Sequence, residues 1–165
     1  MTLKTRMAML AALLASPVSV AHAQSLITEK VLPLQIEIAA AQGAIDACAA
    51  GGFHVSAVVV DAYGNAKVML IGDGTIFTTA DSARRKAYTA IMMHRATSAI
   101  QAQLAANPGS PPPGDGNPEM LALAGGLPIK AGDQFVGGIG VGGAASLQDE
   151  KCAQAGIDKV QAVLH

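Results

Sequence analysis

Two sets of residues in this chain have the types and spacing to do chemistry. The first is a run of glycines: within GGLPIKAGDQFVGGIGVGGA, Gly138-Ile-Gly-Val-Gly-Gly143 matches the pattern G-x-G-x-x-G. In a dinucleotide site such glycines let the backbone approach a pyrophosphate at a helix N-terminus. The second is a scatter of side chains able to ligate a metal: His54, His94 and His165, with Met92, Met93, Tyr63 and Tyr88. His94 is the best placed, because Ala80, Ala83, Ala87 and Ala90 recur at helical spacing and His94 ends their stripe. Its alternative role is that of a residue near a helix C-terminus, interacting with the helix dipole. His54 reads as a solvated or core-edge residue, and His165 as a frayed end.

The glycine pattern passes its local test, since a strand over Gln134–Val141 precedes it and a helix follows. The wider test fails. A second parallel strand and an acidic residue about 20 positions on are needed, and the sequence to His165 leaves room for neither. No Gly-Lys-Ser or Gly-Lys-Thr follows the glycines, which disfavours a phosphate loop. The better expectation is a strand without side-chain bulk, where a helix, a second subunit or a flat ligand meets the backbone. No nucleophile elbow, His-Glu-x-x-His, Cys-x-x-Cys or spaced His/Asp cluster is present. Asp61, Asp73 and Asp81 read first as turn and cap residues.

The elements that must position these residues follow from periodicity. Leu34, Ile38, Ala41, Ile45, Cys48 and Ala49 mark an amphipathic helix opened by Pro33 and stopped by Gly51-Gly52. Two β-rich runs, Phe53–Asp61 and Ala66–Ile71, flank Tyr63-Gly64-Asn65 and predict an antiparallel hairpin. A helix capped by Thr78 or Thr79 extends to about Arg95, and another covers Thr97–Ala106. NPGSPPPGDGNP is an irregular loop. A second hairpin turns at Ala131-Gly132-Asp133, and a last helix runs from Ser146 to about Leu164. Strands paired through tight turns, with helices that do not alternate strictly between them, make this an α+β domain with an antiparallel sheet built from two hairpins.

The N-terminus bears on the compartment. Lys4 and Arg6 precede an apolar run from Met7 to Val20, and Ala21-His22-Ala23 forms an A-x-A cleavage site, so residues 1–23 are expected to be a secretory signal peptide and 24–165 a single domain. That places the mature protein in the periplasm or outside the cell. The run is too short for a membrane helix, so no membrane span is expected. Losing Lys4 and Arg6 leaves a net charge of about −3 without any block of like charge, which disfavours nucleic acid as a partner. With no Trp and 3% aromatic residues, the core must close through small aliphatics. Cys48 and Cys152 fall on predicted helices far apart in the chain, and either one disulfide or two buried thiols is compatible with their placement.

GGLPIKAGDQFVGGIGVGGA followed by QDEKCAQAG resembles the GlcG/HbpS-like haem-binding family, also seen as the C-terminal domain of PduO-type corrinoid adenosyltransferases. VVVDAYGNAKVMLIGDG is similar to that family's hairpin, and SARRKAYTAIMMHRAT to its Ala-x-x-Lys-Ala-x-Thr-Ala helix. Two positions depart from the family: Ile71 stands where an Arg is common, and Gly142 where a Ser is common. The resemblance implies a profilin-like or PAS-like fold, assembly into homo-oligomers, and haem or another tetrapyrrole as the ligand, handled or used in redox sensing. It also implies a site made by Lys86, Thr89, Gly138, Gly140 and His94. His94 would be the iron ligand, and Lys86 would pair with a propionate, with Asp81 or with Asp73. Two rival expectations stand beside it: an enzyme or accessory protein for a small organic acid or aromatic catabolite, and a structural oligomeric module without a small ligand.

Overall fold

A computed structural model describes residues 28–165; the expected leader, residues 1–23, lies outside the described residues. Pro33 fixes an extended backbone at the entry to α1 (Leu34–Ala50), whose end is turned by Gly51-Gly52. The Phe53 amide then bonds back to the Cys48 carbonyl, so β1 begins at Ser56 and not at Phe53. β1 (Ser56–Asp61) and β2 (Ala66–Ile71) form the first hairpin. Its turn is held by Asp61, whose Oδ1 accepts the amides of Tyr63 and Asn65 at 2.9 Å each, the turn role expected of that residue.

α2 (Thr78–Met93) follows, then α3 (Thr97–Ala106). No side chain caps α2: the residue before it is Phe77, and the Thr79 hydroxyl turns back to the Ile76 carbonyl at 2.8 Å. The proline-rich segment contains a 3-10 turn at Pro113–Gly116, and its exit is tied to α2 by Arg84–Glu119 and by an Arg85 bond to the Met120 carbonyl. β3 (Gly126–Ala131) and β4 (Gln134–Gly142) make the second hairpin, and α4 (Ser146–Val160) ends in a short 3-10 turn at Gln161–Val163.

The two hairpins join through their inner strands. The sheet order is β2-β1-β4-β3, antiparallel throughout, with Val58 opposite Gly140 at the seam. The fold is therefore α+β, as the spacing of elements predicts. Alternation along β1 sends Val58 and Val60 toward α2, and Ala57 and Val59 toward α1 and α4. The second face holds the larger core, and α1 and α4 cross there at Ala40, Ala44 and Gly156. Cys48 of α1 and Cys152 of α4 meet in that core as a disulfide, with a Cα separation of 5.5 Å. Closing a loop of this length stabilises the fold by about 4 to 5 kcal/mol in the chain-entropy account. Among the described residues no helix is long and apolar enough to cross a membrane.

Candidate functional site

α2 is the element that carries the sequence's candidate residues, and the glycines of β4 determine how it sits. A Cβ at Gly138 would lie 2.7 Å from the Ala87 carbonyl oxygen, and one at Gly140 would run into the carbonyl oxygen of Ala83. Side chains on this face of β4 are missing because the backbone of α2 occupies their place. Gly142 obeys the same constraint: a Cβ there would lie 2.7 Å from the Thr79 carbonyl, so a Ser would require α2 to shift.

Lys86 and Thr89 complete the joint. The Lys86 ammonium is buried, 2.8 Å from Asp149 Oδ2 of α4 and donating to the Val141 carbonyl at 3.0 Å. Its partner is therefore Asp149, and neither Asp81 nor Asp73. Burial pushes the Asp149 carboxyl upward, against the pull of the Lys86 ammonium and of the Ala144 and Gly143 amides. The Thr89 hydroxyl donates to the Arg85 carbonyl at 2.7 Å and accepts the Leu121 amide at 2.7 Å. Gly138, Gly140, Lys86 and Thr89 thus serve to clamp α2 between the sheet, α4 and the segment before β3.

His94 stands at the far end of the helix. The Arg95 amide bonds to the Ala90 carbonyl and the His94 amide to the Ile91 carbonyl, the pattern of a Schellman turn. His94 therefore takes the left-handed position that glycine usually fills, at φ 51°. Its exposed imidazole stacks on Phe135 of β4, ring centroids 4.1 Å apart and planes 4° from parallel, and the Lys130 ammonium lies 4.9 Å from the Phe135 centroid.

The other end of α2 holds a histidine that sequence reasoning set aside. His54 precedes β1, and its Nδ1 lies 2.7 Å from the Asp73 carbonyl oxygen. A carbonyl only accepts, so Nδ1 carries the hydrogen and Nε2 of the neutral ring keeps a lone pair. This arrangement orients metal-binding imidazoles in general. His54 lines an open cleft of about 550 Å³ together with Phe53, Ile76, Thr78, Ser82 and Ala144, within the size range of small-molecule and cofactor sites. Behind it, buried Ser56 and Thr79 satisfy each other at 2.7 Å. The sequence carried no signal for His54, because it is a register shift in the first hairpin, between Val59 and Val60, that sets Ser56 opposite Ile71 and so brings His54 to Asp73.

Comparison with known proteins agrees with this architecture. The profile of a family described as haem degrading protein HbpS-like matches residues 32–158. Among solved structures, HbpS superposes with a TM-score of 0.74 at 38% identity, covering 82% of this chain and 96% of that one. A double mutant of Streptomyces reticuli HbpS gives a TM-score of 0.74 at 40% identity, covering 88% and 97%. A PduOC:heme complex shares the fold, with a TM-score of 0.72 at 22% identity, covering 79% and 95%. No curated protein sequence matches the chain.

Proposed function

Because this chain belongs to the HbpS-like family, we propose that it is an exported, self-associating protein that binds haem or a closely related tetrapyrrole, with His54 as the ligand to the iron. The observation that carries the choice of residue is the 2.7 Å bond from His54 Nδ1 to the Asp73 carbonyl, which leaves Nε2 as the ligating atom. Phe53 and Ile76 supply apolar walls beside it, and the first turn of α2 presents uncapped amides of the kind that attract carboxylates. Bound haem would contribute the iron chemistry; His54 would hold the iron through a nitrogen of fixed tautomer, and Phe53 and Ile76 would flank the ring in the cleft. The Cys48–Cys152 disulfide supports an oxidising compartment, in keeping with the expected leader.

His94 is the competing ligand, exposed like His54 but lacking a hydrogen bond that orients its second nitrogen. Titration of haemin into the purified protein tests both. A Soret shift saturating at fixed stoichiometry is expected, weakened at least tenfold in His54→Ala and little changed in His94→Gly. Glycine is the right replacement at 94 because it tolerates the left-handed backbone. A nonsaturating titration overturns haem binding, and a loss confined to His94→Gly moves the ligand to the other end of α2.

A further inference from the structure

The loop between β2 and α2 turns at Asp73-Gly74, where the Thr75 amide and hydroxyl both bond back to the Gly72 carbonyl, at 3.3 and 2.9 Å. Gly74 takes the left-handed region at φ 74°, and both residues are exposed. Among the described residues, the Gly74 amide donates to no acceptor and the Asp73 carboxylate accepts from no donor. A glycine after an aspartate places no Cβ in the way when its amide nitrogen approaches the side-chain carboxyl. Other aspartates are guarded. Asp61 is tied by the amides of Tyr63 and Asn65, Asp149 is buried against Lys86, and Asp81 and Asp158 lie within helices. The chain's second Asp-Gly pair, at 115 and 116, belongs to the 3-10 turn Pro113–Gly116.

Asp73 has, in addition, an imidazole on its own peptide. The 2.7 Å bond from His54 Nδ1 reaches the carbonyl oxygen of the Asp73–Gly74 peptide, and the ring packs on Gly74, where a Cβ would lie 3.1 Å from Nδ1. A donor on an amide oxygen stabilises the negative charge that develops there as the amide proton is lost. The nitrogen of that same amide is the nucleophile. We propose that Asp73 is a site of spontaneous isoaspartate formation, promoted by His54. The Gly74 nitrogen bonds to Cγ of the Asp73 carboxyl group, and the carboxyl hydroxyl leaves with the amide proton as water, closing a succinimide. Water then opens the ring by breaking the nitrogen's bond to one of the two carbonyl carbons. Breaking the bond to Cγ restores aspartate. Breaking the bond to the original main-chain carbonyl carbon gives isoaspartate, with the main chain routed through Cβ and Cγ and no net change of mass. In that product the oxygen that held His54 belongs to a free carboxylate, so an anion replaces the neutral acceptor of the imidazole. The reaction needs no haem and goes beyond the haem reading.

Ageing the haem-free protein at neutral pH, then digesting it with trypsin and fragmenting the peptides by electron transfer, tests this. Residues 73 and 115 fall on different tryptic peptides, 68–84 and 96–130. Isoaspartate should accumulate at 73 in the wild type. His54 is exposed, so its replacement spares the core. His54→Ala should slow the reaction at 73 about fivefold, the effect of one hydrogen bond, and leave residue 115 unchanged. His54→Asn, which keeps an N–H donor near the place of Nδ1, should recover most of the wild-type rate. In urea, where the bond is broken, the three chains should isomerise alike. Persistence of aspartate at 73 overturns the site. Equal rates in folded wild type and His54→Ala, no recovery in His54→Asn, or a difference that survives in urea overturns the role of His54.

Discussion

The two ends of α2 each present an imidazole, separated by about 24 Å of helix, yet they are prepared for different tasks. At the C-terminal end His94 belongs to the helix itself, and its ring plane is set by stacking on Phe135. Stacking fixes a plane and leaves the choice of protonated nitrogen open. At the N-terminal end His54 belongs to the approach to β1 and is held by the carbonyl of Asp73 at the end of β2. That bond fixes the tautomer as well as the direction of the ring. A histidine in a suggestive stripe is thus less ready to hold a metal than one in plain surroundings whose second nitrogen is already engaged.

Both ends depend on the seating of α2, so the largest effect should come from lifting it. Gly140→Val forces a side chain into the Ala83 carbonyl, and the cost is expected to exceed about 4 kcal/mol, a large share of the stability of a small domain. Loss of soluble protein or of the cooperative thermal transition checks this; a well-folded variant would mean that the helix is not seated on β4. Lys86→Met comes next. It strands buried Asp149 without its cation and should cost about 3 to 5 kcal/mol in urea unfolding, weakening haemin binding only through loss of folded protein.

Substitution at 94 sharpens the contrast further. His94→Gly relieves a left-handed backbone worth about 1 kcal/mol and loses the stack on Phe135, worth about as much. Its urea midpoint should stay near that of the wild type, whereas His94→Ala should fall below it. Equal stability of the two variants would show that the backbone at 94 is unstrained.

The smallest effect should come from Glu37, on the face of the sheet remote from both histidines. Its carboxyl is buried in α1 with Oε2 unpartnered, and burial raises its pKa despite Lys67 nearby. The folded state then holds the proton more tightly than the unfolded chain, so stability falls as pH rises from the ordinary carboxylate value through the raised one. Glu37→Gln should remove that fall. Its calorimetric melting temperature should exceed the wild type's at neutral pH, and the gap should close below pH 4.5, the ordinary value for this group. Haemin binding should not change.

Local pattern made much of the fold legible. Helical spacing around Leu34–Cys48, the Tyr63-Gly64-Asn65 turn and the second hairpin each depend on neighbours in sequence, and the observed elements agree with them to within a few residues at their ends. The glycines of β4 likewise announced a close approach, because a strand without side chains has few other uses. The partner of Lys86 was not legible. Asp149 lies 63 residues away, and only the packing of α4 against α2 brings the two together. The Cys48–Cys152 pair, 104 residues apart in sequence, was compatible with two outcomes until α1 and α4 were seen to cross.

The sequence by itself determined the α+β order of elements, the antiparallel hairpins and the family, since these rest on periodicity, turn chemistry and motif. The tertiary structure decided which of the candidate residues are engaged in holding α2 and which histidine has its tautomer set by a backbone carbonyl. The physical reason is that a side chain's availability depends on what else reaches it. Val141, Asp149 and Leu121 reach the middle of α2 and engage Lys86 and Thr89, whereas Asp73 reaches His54 in the one way that leaves Nε2 unengaged.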